Sequence, residues 1–176
     1  MGLFDKLRRK KKTDAEVLDE VIAWGRKIEQ DPEMRRYYEA QADKQYQAAR
    51  SAFYDLSAEI NETYSVLTNV GSFVGEDGDK LIERCVAAIN IDNSIREKRN
   101  YYENTKYEAC EPYKVLSMVY EKRGEYQRAA TVCVLAIENG YTKDGTNGGM
   151  RGRLARMIKK GDLPLSDNIK AILNIN

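Results

Sequence analysis

The chain has 176 residues, 42% of them hydrophobic and 32% charged, with a net charge of +1; this is enough apolar material for one packed domain with appendages, and too much for a disordered chain. No apolar run approaches the ~18 to 20 residues that a membrane-spanning helix needs. Histidine is absent and the three cysteines form no CxxC pair, so the usual general base and a zinc ligand set are both missing, and a protein without catalytic, metal or cofactor chemistry is expected.

The first segment, MGLFDKLRRKKK, carries six Lys or Arg against Asp5. Its apolar residues precede the charges and no apolar core or small-residue cleavage site follows, unlike a secretory signal; a cytoplasmic location is expected. Leu3, Phe4 and Leu7 beside the lysines suit a short amphipathic foot, so residues 1–12 are a candidate for contact with an anionic membrane surface. A myristoylation motif would need Ser or Thr at residue 6, where Lys6 stands.

Thr13 and Glu16 form a capping-box signal for a first helix ending near Gln30, with Val17, Leu18, Val21, Ile22 and Ile28 on one face. Asp31-Pro32 restarts a helix. From Glu33 to about Asn69 no glycine or proline interrupts the chain, and Phe53, Leu56, Ile60, Tyr64 and Leu67 keep a helical stripe. One long helix of roughly 50 Å is therefore predicted, its polar, alanine-rich first half less buried.

VGSFVGEDGD at 70–79 reads as a loop. A helix over 79–90 follows with Leu81, Ile82, Cys85, Val86 and Ile89 on one face, then a second stretch from about Asp92 to Asn104. Pro112 opens a hairpin of two helices, 112–122 and 125–138, bent at Gly124. Tyr113, Leu116 and Tyr120 make a large-residue stripe on the first helix, and Ala129, Cys133 and Ala136 a small-residue stripe on the second, which allows close antiparallel approach. Val115, Val119, Val132 and Leu135 lie off that stripe and need cover from neighbouring elements. A glycine-rich loop precedes a basic helix at 150–160 that stops at Gly161, and Ser166 caps a last short helix bearing Ile169, Ile172 and Leu173.

On Leu116, Tyr120, Gly124, Tyr126, Ala129, Ala136 and Ile137, the segment 112–140 resembles a tetratricopeptide repeat. Tyr113 stands where tryptophan is usual, and Ser117 where glycine or alanine is usual. CVAAI at 85–89 parallels CVLAI at 133–137, an echo 48 residues upstream against the family's usual 34. The resemblance implies an all-α fold of antiparallel hairpins closed by a capping helix at 150–160, and a groove for a protein or peptide partner. Carried onto this chain, the groove-facing residues are Glu111, Lys114, Met118, Glu121 and Lys122. Met118 replaces the asparagine that accompanies a terminal-carboxylate clamp, so a co-chaperone of that kind is not implied.

Arg151, Arg153, Arg156, Lys159 and Lys160 offer an alternative, a nucleic-acid or phosphate patch on the basic helix next to NGGMRGR. That loop lacks the Lys-Ser/Thr ending of a P-loop, and the body from 13 to 139 is acidic, with 24 acidic against 16 basic residues. The expected organisation is a basic tail at 1–12, a helical hairpin with a long helix at 13–70, a repeat-like domain at 77–161 and a tail helix at 162–176. The expected function is that of a non-enzymatic adaptor or scaffold.

Overall fold

A computed structural model describes residues 13–175; the expected membrane foot at 1–12 lies outside them. The fold is all-α, with eight helices and no strand among the described residues apart from an isolated bridge between Ala109 and Lys143. The chain divides into two compact units, one ending at Asp43 and the other beginning at Lys44, so the boundary falls inside the stretch expected to be a single long helix.

The first unit holds α1 (Asp14–Gln30) and α2 (Pro32–Ala42). The capping box forms: the Glu16 amide donates to Thr13 Oγ1 at 3.3 Å, and the Thr13 amide donates to Glu16 Oε2 at 2.8 Å. Asp31 Oδ1 accepts from the amides of Glu33 and Met34, which satisfies two donors that the first turn of α2 leaves open. Trp24 meets Tyr38 edge to face, ring centroids 5.1 Å apart, and joins the two helices.

Asp43 leaves the helical region, with φ −79° and ψ 85°, and splits the expected 33–69 helix into α2 and α3 (Lys44–Val70). No glycine or proline marks this break. Aspartate is nonetheless a weak helix-interior residue, because its short side chain competes for nearby backbone groups. The expectation of a lightly buried first half fails at Tyr46, which is 2% exposed.

The second unit is built on α3 and α4 (Glu76–Tyr102), each 27 residues and so roughly 40 Å long. The loop between them is shorter than expected, because α4 begins at Glu76, and α4 runs unbroken where two helices were expected. Tyr46, Phe53, Ile60 and Leu67 recur every seventh residue on α3; Gly78, Leu81, Cys85, Ala88, Asp92, Ile95 and Arg99 recur at steps of three and four on α4. That is the seam spacing of paired helices. Gly78 is required at its place, since a Cβ there would lie 2.0 Å from the Phe73 carbonyl oxygen. Val86, expected on one face with Leu81 and Cys85, is exposed because it falls one position past Cys85 on the seam.

The remaining helices are α5 (Glu111–Lys122), α6 (Tyr126–Glu138), α7 (Gly149–Gly161) and α8 (Asp167–Leu173). Each helix from α4 to α8 packs on its predecessor, and α5 also reaches back to α3. The α5–α6 hairpin turns at Gly124, whose φ of +74° suits glycine. Tyr113, Leu116, Ala129, Cys133 and Ala136 are all buried in one core with Leu81, Cys85, Met150, Leu154 and Met157. Val115, Val119 and Val132 find the cover they need; Leu135 does not, and remains 46% exposed. No described helix is long and apolar enough to cross a membrane.

Candidate partner groove

Helix α5 presents two kinds of surface. Its core side is closed, whereas Lys114, Met118 and Lys122, at steps of four, line its outer side; Lys114 and Met118 are half-buried and Lys122 is exposed. Lys114 Nζ donates to Glu111 Oε1 at 2.9 Å one turn away, a partly exposed pair that contributes little to stability and is readily exchanged.

Glu121 serves a different purpose from its neighbours. Its carboxylate accepts from Lys160 at 2.9 Å, Arg156 at 3.3 Å and Arg153 at 3.4 Å, tying the end of α5 to α7. Partial burial opposes its ionisation, but the hydrogen bonds and charges of Lys160 and Arg156 outweigh this and hold its pKa below the usual carboxylate range. Of the five groove residues expected, the structure places Glu111, Lys114, Met118 and Lys122 at the surface of α5 and engages Glu121 as a clasp.

The basic helix changes meaning accordingly. Arg153 is 4% exposed and cannot belong to a surface patch: its guanidinium meets Asp144 at 2.9 Å as well as Glu121. Asp144 is itself buried and has a lowered pKa; burial works against its ionised form, and Thr146 and Arg153 more than compensate through hydrogen bonds and charge. Arg156 and Lys160 share Glu121, while Arg151 and Lys159 are exposed. The glycine-rich loop also has a structural reason. Gly149 adopts φ +54°, and a Cβ there would approach the Thr142 carbonyl oxygen to 2.2 Å; the same oxygen accepts from the Met150 amide at 2.9 Å. Its glycine is explained by close packing against Thr142.

Two polar clusters escaped the sequence reading. Asp92, Arg99 and Tyr141 form a buried triad in which Arg99 bonds Asp92 at 2.5 Å and Tyr141 at 2.7 Å. Their signal was present in the seam of α4, where Asp92 and Arg99 occupy positions otherwise held by apolar residues. Glu103 gathers Tyr46 at 2.9 Å, Arg50 at 3.0 Å and Tyr107, and the Arg99 guanidinium lies 4.6 Å from the Tyr107 ring centroid. Both clusters join α4 to segments distant in sequence.

Cys85, Cys110 and Cys133 are buried free thiols whose pKa values burial pushes up to about 12, which makes them poor nucleophiles at neutral pH. No grouping of three or more His, Cys, Asp or Glu suited to a metal ion occurs among the described residues. Comparison with family models, curated proteins and solved structures gives no match.

Proposed function

We propose that this chain is a non-enzymatic, cytoplasmic interaction module, an adaptor or scaffold of tetratricopeptide-like hairpins that docks a protein or peptide segment along the outer side of α5. The observation that carries this reading is the division of α5 into a buried side, with Tyr113, Val115, Leu116 and Val119, and an accessible strip of Lys114, Met118 and Lys122. The order of packing, in which α5 rests on both α3 and α4 before α6 and α7 follow, is the neighbour order expected of stacked hairpins. A methionine between two lysines suits a partner segment with an apolar side chain flanked by acidic groups. Met118 supplies an adaptable contact, and the lysines favour an acidic segment.

The test is capture from native lysate with and without nuclease, using the full chain and a Lys114→Ala, Met118→Ala double variant. A protein partner retained after nuclease and lost with the double variant, at unchanged thermal stability, is the expected result. Loss of all bound material after nuclease would instead favour nucleic-acid binding through the exposed Arg151 and Lys159. Unfolding of the double variant would place Lys114 and Met118 in the core and dismiss the groove.

A further inference from the structure

Helix α1 carries apolar side chains outward: Val17, Leu18, Val21 and Ile22 are 44–61% exposed, and Trp24, though its ring meets Tyr38 of α2, remains 50% exposed. Neighbouring exposed apolar side chains of this kind, when they form a contiguous patch, mark an interaction site. Within the patch, Val17, Val21, Trp24 and the half-buried Ile28 recur at steps of four, three and four, the spacing of a seam between two helices. Glu20 and Lys27 flank that seam on one side and, with Val17, Val21 and Trp24, line an open hollow along the helix. Leu18 and Gly25 flank it on the other, and Gly25 has open space where a Cβ would stand.

One partner matches the charges and the sizes of this strip at once. When a second α1 runs antiparallel, so that Val21 meets the other copy's Trp24, the two-fold symmetry of such a pair sets Val17 against Ile28. The same symmetry sets Glu20 against Lys27 on one flank and Leu18 against Gly25 on the other, each contact made twice. A parallel pair sets Trp24 against Trp24 and Glu20 against Gly25, and does not bring Glu20 and Lys27 together. We infer that α1 is a self-association element, and that its apolar strip is covered by the antiparallel α1 of a second copy of this chain. This inference is independent of the groove on α5.

The test uses the full-length protein. Sedimentation across a wide concentration range should show a monomer–dimer equilibrium, and the fluorescence of Trp24, the one tryptophan in the chain, should shift to shorter wavelength as dimer forms. Glu20→Lys and Lys27→Glu each replace two attractive contacts with two repulsive ones, so each should weaken the dimer roughly tenfold or more. An equimolar mixture of the two variants should recover dimer, because every flanking contact in the mixed pair is again between opposite charges. Glu20 and Lys27 are both exposed, and unchanged far-ultraviolet dichroism checks that the helices persist. A monomer at every concentration would overturn the inference, as would a dimer indifferent to both swaps. So would a monomer whose Trp24 emission shifts only on anionic phosphatidylserine vesicles, since the strip would then belong to a lipid surface.

Discussion

Asp92 and Arg99, two turns apart on the buried seam of α4, face each other at 2.5 Å with side-chain exposures of 0% and 5%, and both bond the hydroxyl of Tyr141. A charge so placed is held by its partners, since removing one member leaves the other desolvated and uncompensated. Asp92→Asn is expected to cost about 3 to 5 kcal/mol. Tyr141→Phe should cost about 1 to 3 kcal/mol, because it leaves hydrogen-bonding groups of Asp92 and Arg99 unpaired. Denaturant unfolding of the two variants measures both; a loss smaller for Asp92→Asn than for Tyr141→Phe would mean that the pair is not the centre of the cluster.

The close approach of α5 and α6 gives a second expectation. Ala129 is 0% exposed and belongs to the same core as Tyr113 and Leu116. Ala129→Trp adds a bicyclic side chain where there is no room, and should destabilise by about 1 to 3 kcal/mol or more through overpacking. Leu135→Lys on the same helix, at a site 46% exposed, should cost far less. Equal melting temperatures for the wild type and Ala129→Trp would remove the hairpin as drawn.

What could be read from the sequence was local. The caps at Thr13, Asp31 and Ser166, the turn at Gly124 and the stripe through Tyr113 and Leu116 depend on residues within a few positions of one another, and each appears in the structure. The misreadings depended on distant partners. A helix rich in arginine and lysine reads as an exposed basic patch until Asp144 and Glu121 are brought beside Arg153 by the fold. Asp92 reads as the start of a new polar stretch until Arg99 and Tyr141 make it part of the seam. The break at Asp43 lacked the usual punctuation of glycine or proline, so a continuous helix was the natural expectation there. The outer side of α5, with Lys114, Met118 and Lys122, was legible as a face, and the clasp made by Glu121 was not, because its three cations lie more than 30 positions away.

Glu121 and Asp144 set a pH dependence. Both have folded pKa values below the ordinary carboxylate range. Such a group stabilises the fold fully above its unfolded pKa, about 4, and loses that contribution as pH falls through the folded value. Their joint contribution should therefore be constant near neutrality and decline on acidification below about pH 5. Glu121→Gln with Asp144→Asn should lower stability at neutral pH and flatten the acid limb. Unfolding free energies measured from neutral to acid pH check this, and an acid limb as steep in the double variant as in the wild type would assign the decline to other carboxylates.

Helix α8 has only seven residues and would be unstable alone in water, so its presence depends on docking. Ser166 Oγ accepts from the Ile169 amide at 3.3 Å, Asn168 donates to Glu138 at the end of α6 at 3.0 Å, and Ile172 and Leu173 pack against the core beside α7. These contacts make the tail a strap across the end of α6 and α7. Truncation after Gly161 removes them together with Leu163, which also packs on the core, and should lower stability by about 1 to 3 kcal/mol, the scale of one large apolar side chain's burial. Ser166→Ala should cost up to about 1 kcal/mol through the lost cap. If the tail were instead an occupant of the strip near Met118, truncation would raise affinity for a partner docked on α5; a strap predicts no such gain. Amide exchange separates both cases from a free tail, since docking requires slowed exchange in 169–173 of the full-length protein. Fast exchange throughout that segment, with stability unaltered by truncation, would show that α8 neither straps the fold nor occupies the groove.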